Sequence, residues 1–174
     1  GIRGAFARAA AADNVRADPS ALRELYAEAE REVEAEAYRP YREVLAEAAR
    51  RAAARADWMM EDPTAEAFAA SLPEWRPFED TNAALERLAG AGIRLGILSN
   101  VDRDLLAGTR RHFTVDFDIV VTAEDVGSYK PAHGHFLEGR RRIGDARWLH
   151  AAQSYFHDVV PCDELGIASA WINR

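Results

Sequence analysis

Ile93-Arg94-Leu95-Gly96-Ile97-Leu98-Ser99-Asn100 is a short apolar run that stops at two small polar residues. Gly90 and Gly92 part it from a helix-like segment over Thr81–Ala91, and another such segment runs from about Asp102 to His112. The run over 93–98 is too short for a buried helix and reads as a strand. The same grammar repeats outward from it: strand Phe117–Thr122, a helix starting at Pro131, strand Trp148–Ala152, helix Asp158–Leu165 and strand Ala168–Ile172. Short apolar strands alternating with helices predict right-handed crossovers and a mainly parallel sheet covered on both faces, an α/β fold.

Upstream of Trp75 the grammar is helical. Leu22, Leu25, Tyr26, Ala29, Val33 and Ala37 keep a 3.6-residue period from about Pro19 to Tyr38, with Asp18 or Ser20 as the cap. Arg39-Pro40 interrupts it, and Tyr41, Val44, Leu45, Ala48 and Ala52 carry a second amphipathic stretch to about Trp58. Asp62-Pro63-Thr64 starts a third helix, which Leu72-Pro73 ends. A small helical bundle over 1–75 is therefore expected, with Trp58-Met59-Met60 in its core.

A hydrophobic content of 48% supplies enough apolar side chain for a packed core and excludes wholesale disorder. The net charge of −7 is the wrong sign for a phosphate-backbone binder, so nucleic acid is not an expected partner. No apolar stretch approaches the ~18 residues of a membrane span, and no signal-peptide pattern follows Gly1. The lone cysteine, Cys162, excludes a disulfide framework and reads as an inert buried thiol, compatible with a cytoplasmic location. The sequence neither requires nor forbids a homodimer.

Ligands of open parallel sheets bind at the carboxyl ends of the strands. That rule selects Ser99-Asn100, then Tyr129-Lys130-Pro131, then the loop from Gln153 to Asp158. Lys130 is the only lysine in the chain, so a compact ammonium is used once, in one of these loops. A hydroxyl, an amide, an ammonium and a carboxylate at one edge suit a small anionic ligand. Simpler roles stand beside this one: Ser99-Asn100 as a turn, Lys130-Pro131 as a helix entry and Asp158 as an N-cap. His133 and His135 point to different helix faces and make a poor chelating pair, while His157 lies beside Asp158. Scattered histidines and one cysteine lack the spacing of a zinc site.

Gly96-Ile97-Leu98-Ser99-Asn100, Tyr129-Lys130-Pro131, Ala152-Gln153-Ser154 with His157-Asp158, and Leu165-Gly166 with Trp171-Ile172-Asn173-Arg174 resemble, in order and spacing, the haloacid dehalogenase-like hydrolases. The branch containing the L-2-haloacid dehalogenases is the nearest in pattern. The resemblance implies a Rossmann-like three-layer core over 76–174 and a helical cap over 1–75. It also implies an aspartate nucleophile that attacks phosphorus or a halogen-bearing carbon, giving an ester that water hydrolyses. By resemblance Ser99 and Asn100 bind the substrate, and Lys130 neutralises charge. Asp158 holds magnesium in a phosphatase, or orients the hydrolytic water in a dehalogenase, which needs no metal.

The family's nucleophile motif, a strand ending Asp-x-Asp or Asp-x-Tyr before Gly-Thr, is not found here. Asp116-Phe117-Asp118 precedes its strand, and Asp102-Arg103-Asp104 reads as a helix start. The expectation is an internal fragment of a hydrolase, with little turnover of its own. Phe136, Gln153 and Tyr155 stand where the dehalogenases carry tyrosine, serine and asparagine, and Glu32 stands near the position of their cap arginine. Gln153 also replaces a carboxylate usual in the phosphatases. A small phosphorylated metabolite is the first expectation for substrate. A 2-haloacid is the alternative, and a non-catalytic anion-binding module is a third.

Overall fold

The computed structural model describes residues 1–173; Arg174, the last residue of the Trp171-to-Arg174 motif, lies outside the described residues. The chain divides into two compact units. Gly1–Asn82 with Val101–Thr114 form one, and Ala83–Asn100 with Val115 onward form the other.

The first unit is helical: α1 (Ile2–Ala12), α2 (Pro19–Glu34), α3 (Tyr41–Ala54), α4 (Asp62–Ala70) and α6 (Arg103–Arg110). Asp18 caps α2 by accepting from Ser20 N at 2.9 Å, with Pro19 in the first turn. Leu22, Tyr26, Ala29 and Val33 form the buried stripe of α2, as the period predicts. The helix ends at Glu34, short of the expected Tyr38. α3 buries Ala46, Ala48, Ala49, Ala52 and Ala53, and these small side chains let α2 and α4 approach its backbone closely. Phe6, Tyr26 and Phe68 meet at the centre, the Phe6 and Phe68 ring centroids being 4.7 Å apart. Trp58 and Met60 are buried with them, but Met59 is 87% exposed, so the expected core cluster loses its middle member. Trp58 turns inward because its Nε1 donates to Asp13 Oδ2 at 2.9 Å.

The Asp102 carboxylate does not cap its helix. It accepts from Tyr41 N at 2.7 Å and Arg42 N at 3.0 Å, so it closes the start of α3 instead.

The second unit holds β1 (Gly96–Ser99), β2 (Ile119–Thr122), α7 (Ala123–Val126), α8 (Gly134–Ile143), β3 (Leu149–Ala152), α9 (Val160–Glu164) and β4 (Ala168–Trp171). Helix α5 (Thr81–Gly90) begins in the first unit and ends in the second. β1 pairs with β2 and β3 with β4, both in parallel, from Gly96 opposite Ile119 and from Leu149 opposite Ala168. The parallel expectation holds. The expected continuous sheet is replaced, among the described residues, by two separate ladders. At β1 the Leu98 carbonyl is taken by the Lys130 ammonium at 2.9 Å.

β1 starts at Gly96 rather than Ile93 because Asp118 binds the chain just before it. Asp118 Oδ2 accepts from Leu95 N at 3.0 Å, and Asp118 N donates to Leu95 O at 2.9 Å. Phe136, Cys162 and Ile167 form the core of this unit, with Leu98, Trp148 and Leu165 packed against them. Cys162 is fully enclosed, and burial raises its thiol pKa to about 11, as expected of an inert cysteine.

Candidate functional site

The site lies at the carboxyl ends of β1 and β3, within the second unit. Pro131 does not begin a helix: α8 starts at Gly134, three residues on, so the helix-entry role for Lys130-Pro131 is excluded. The Lys130 segment is held by Asn100 instead. Lys130 N donates to Asn100 Oδ1 at 2.8 Å, and Asn100 Nδ2 donates to Lys130 O at 3.1 Å. Asn100 thus clamps the backbone that carries the ammonium.

Lys130 is 8% exposed, yet its charge is matched. Nζ donates to Asp158 Oδ1 at 2.7 Å and to Leu98 O at 2.9 Å. A buried ammonium without such partners would be prohibitively costly. Asp158 is 5% exposed and lies inside a π turn, Tyr155–Val159, that precedes α9. Ser154 caps that turn by accepting from His157 N, while α9 has Val159 at its N-cap and no side-chain cap, so Asp158 does not take the N-cap role expected of it. Burial pushes the Asp158 carboxyl pKa up, but the hydrogen bond from His150 and the Lys130 charge outweigh it and hold the pKa below the usual carboxylate value.

His150 is the site residue that sequence reasoning passed over. Its Nε2 is 2.9 Å from Asp158 Oδ1. The available signal was a histidine in the middle of an otherwise apolar strand, where a polar ring needs a partner. His157, adjacent to Asp158 in the sequence, places Nδ1 3.0 Å from Ser154 Oγ. His133 goes to Glu164 and His135 to the Ser99 carbonyl, so the two diverge as expected.

The Ser99 hydroxyl has no partner among the described residues and stands at the end of β1. The structure therefore gathers Ser99, Asn100, Lys130 and Asp158 at one edge, with His150 added. Two of the residues at the dehalogenase-specific positions, Phe136 and Tyr155, do not join them. Phe136 is buried in the core, Tyr155 is 58% exposed against Trp171, and Gln153 O accepts from Trp171 Nε1 at 2.9 Å. A cavity of about 500 Å³ adjoins the edge, lined by Pro131, Ala132, His133, Phe156, Val160 and Glu164.

Among the described residues no three carboxylate, histidine or cysteine side chains are grouped to hold a metal. What is present is a single carboxylate oxygen. Both donors to Asp158 land on Oδ1, and no described residue bonds Oδ2. That fits magnesium, which is held by one or two carboxylates with water and substrate phosphate completing its shell.

A family described as haloacid dehalogenase-like hydrolase matches residues 1–152. This chain belongs to that family. Among relatives of the hydrolase, a (S)-2-haloacid dehalogenase of Pseudomonas putida is 27% identical over 118 residues, covering 66% of this chain and 52% of that one. A glyceraldehyde 3-phosphate phosphatase of Methanothermobacter thermautotrophicus is 31% identical over 105 residues, covering 56% and 45%. The matches span about half the length of these relatives. The L-2-haloacid dehalogenase of Xanthobacter autotrophicus superposes with a TM-score of 0.86 at 17% identity, over 100% of this chain and 73% of that one. The fold of this chain is accordingly the Rossmann-like core with helical cap of the dehalogenase-like branch.

Proposed function

We propose that this chain carries the anion-binding and charge-neutralising groups of a hydrolase acting on a small phosphorylated metabolite. Lys130 carries the reading: the sole lysine of the sequence is buried at the strand ends and held by four hydrogen bonds. In a site shielded from water, one fixed ammonium stabilises developing negative charge far better than in solvent. The Ser99 hydroxyl donates to a phosphoryl oxygen, and Asn100 keeps Lys130 in place. Asp158 would hold magnesium, which would supply neutralisation of phosphate charge there.

The aspartate nucleophile comes from residues other than these, on a further strand. In support, Asp102 is committed to the Tyr41 and Arg42 amides, Asp118 to Leu95 N, and Asp158 to Lys130 and His150. The protein works in the cytoplasm on a small anion, and no described helix is long and apolar enough to cross a membrane.

A second reading, 2-haloacid hydrolysis without metal, is favoured by the Pseudomonas putida relative. It stands behind because Phe136 is buried in the core and Tyr155 is exposed against Trp171, so neither of these dehalogenase positions brings a polar group to the edge. Loss of the chemistry with retention of anion binding is the remaining alternative.

Calorimetric titration with inorganic phosphate, with and without magnesium, and with (S)-2-chloropropionate separates these readings. Phosphate binding strengthened by magnesium, and weakened about tenfold or more in Lys130→Met, is the expected result. Metal-independent binding of the haloacid alone would reverse the order, and binding of neither anion would overturn both. With p-nitrophenyl phosphate and magnesium the chain should show no rate above buffer. A magnesium-dependent rate lost in Lys130→Ala would refute the assignment of the nucleophile to other residues.

A further inference from the structure

Asp158 receives two donors on the same oxygen: Lys130 Nζ at 2.7 Å and His150 Nε2 at 2.9 Å from Oδ1. His150 projects from β3, with its side chain 10% exposed. Its ring stands edge-on to two aromatic neighbours, with centroids 5.3 Å from Phe136 and 6.0 Å from Trp148. A ring walled in this way has little rotational freedom left to lose. An ionised carboxylate only accepts, so the nitrogen facing it, Nε2 of His150, carries a hydrogen.

The terminal torsion of an aspartate is soft, and one donor on a flexible lysine stem does little to stop it turning. We propose that His150 is a positioning residue. By donating to Oδ1 from a second direction, it fixes the rotation of the Asp158 carboxylate and leaves Oδ2 as the oxygen presented to magnesium and phosphate. This rests on the reading of Asp158 as the magnesium-holding carboxylate. Groups that orient a metal ligand in this way commonly govern affinity without touching the ion.

The test compares the unaltered chain with His150→Gln, His150→Leu, Asp158→Asn and Asp158→Ala. Glutamine returns an N–H near the position of Nε2, whereas leucine fills the space without a donor. In calorimetry the magnesium-dependent part of phosphate binding should weaken about 10-fold or more in His150→Leu and stay within about threefold in His150→Gln. Phosphate binding without magnesium should change little in either variant. Long-range proton–nitrogen spectra should show a hydrogen on Nε2 in the unaltered chain, and that signature should be lost in Asp158→Ala.

Full magnesium dependence in His150→Leu, or an Nδ1–H tautomer in the unaltered chain, overturns the positioning role and leaves Asp158 standing. Asp158→Asn binding as well as the unaltered chain, or no binding by the unaltered chain, overturns the Asp158 reading and the role of His150 with it. If His150→Leu does not fold, the tautomer decides alone.

Discussion

His135 is completely enclosed, with Nε2 3.0 Å from the Ser99 carbonyl and a buried Nδ1 that has no hydrogen-bond partner. A carbonyl only accepts, so Nε2 donates and the ring is neutral, leaving Nδ1 as a bare acceptor. Burial, then the nearby Lys130 charge, lowers its pKa from 6.5 to about 4. The unfolded chain therefore takes up a proton near pH 6.5 that the folded chain refuses until about pH 4. Stability from this group is complete above the unfolded value and is lost as the pH falls through that window. At pH 5 the loss amounts to about 2 kcal/mol. Urea unfolding at pH 7.5 and pH 5 should show that difference, and His135→Gln should reduce it while lowering stability at both. A fall of equal size in His135→Gln would assign the acid sensitivity elsewhere. In the sequence His135 was only half of a rejected chelating pair, since nothing in its spacing announced a bond to Ser99.

At the scale of elements, close approach decides which substitutions α6 accepts. It packs on the short turn Leu72–Glu74, and a Cβ added at Gly108 would lie 2.7 Å from Pro73 Cβ and 3.0 Å from its Cγ. Proline is rigid and cannot swing away, so the helix would have to move. Gly108→Ala should thus destabilise by about 1–3 kcal/mol, despite the ~1 kcal/mol that alanine offers an exposed helix. A chemical melt showing Gly108→Ala as stable as the parent would mean that the turn yields. This contact also shows where sequence reading ran out. Periodicity placed α2, α3, α6 and all four strands to within a few residues, because burial of one face leaves a repeat in the sequence. It missed the starts of β1 and α8, and it gave Asp102 and Asp158 their local roles at helix starts. Those positions are set by side chains from distant segments: Asp118 on Leu95, Asp102 on Tyr41 and Asp158 on Lys130. Long-range polar pairs leave no period to read. Lys130 was legible because it is alone of its kind, whereas His150 became legible only with the fold that brings β3 beside the π turn.

Across the molecule, exposed large apolar residues concentrate in the α/β unit, although Met59 and Phe78 of the helical unit are exposed too. Leu149, Tyr155, Phe156, Trp171 and Ile172 are exposed by 64, 58, 51, 51 and 38%. The β3–β4 register puts Leu149 on one face and Trp171 on the other, beside His150, so neither face is fully covered. Single exposed apolar side chains need no explanation, but five within residues 149–172, divided between the two faces, leave apolar surface of the kind that binds other surfaces. The β3–β4 ladder, two-stranded among the described residues, adds an outer edge that invites a further strand. The net charge of −7 opposes association at neutral pH and fades towards the pI near 5.3. The chain should therefore self-associate at tens of micromolar, more strongly near pH 5.5 than at pH 8. Sedimentation equilibrium reads this as a mass rising above 19.3 kDa with concentration. Leu149→Lys places a charge on one exposed face without touching a hydrogen bond, and should return the mass towards that of the single chain. A mass that stays at 19.3 kDa at both pH values would show that charge and solvation alone keep this face apart. Association undiminished by Leu149→Lys would move the contact to the Trp171 face, where it would compete with access to Asp158 and weaken phosphate binding as the chain concentration rises.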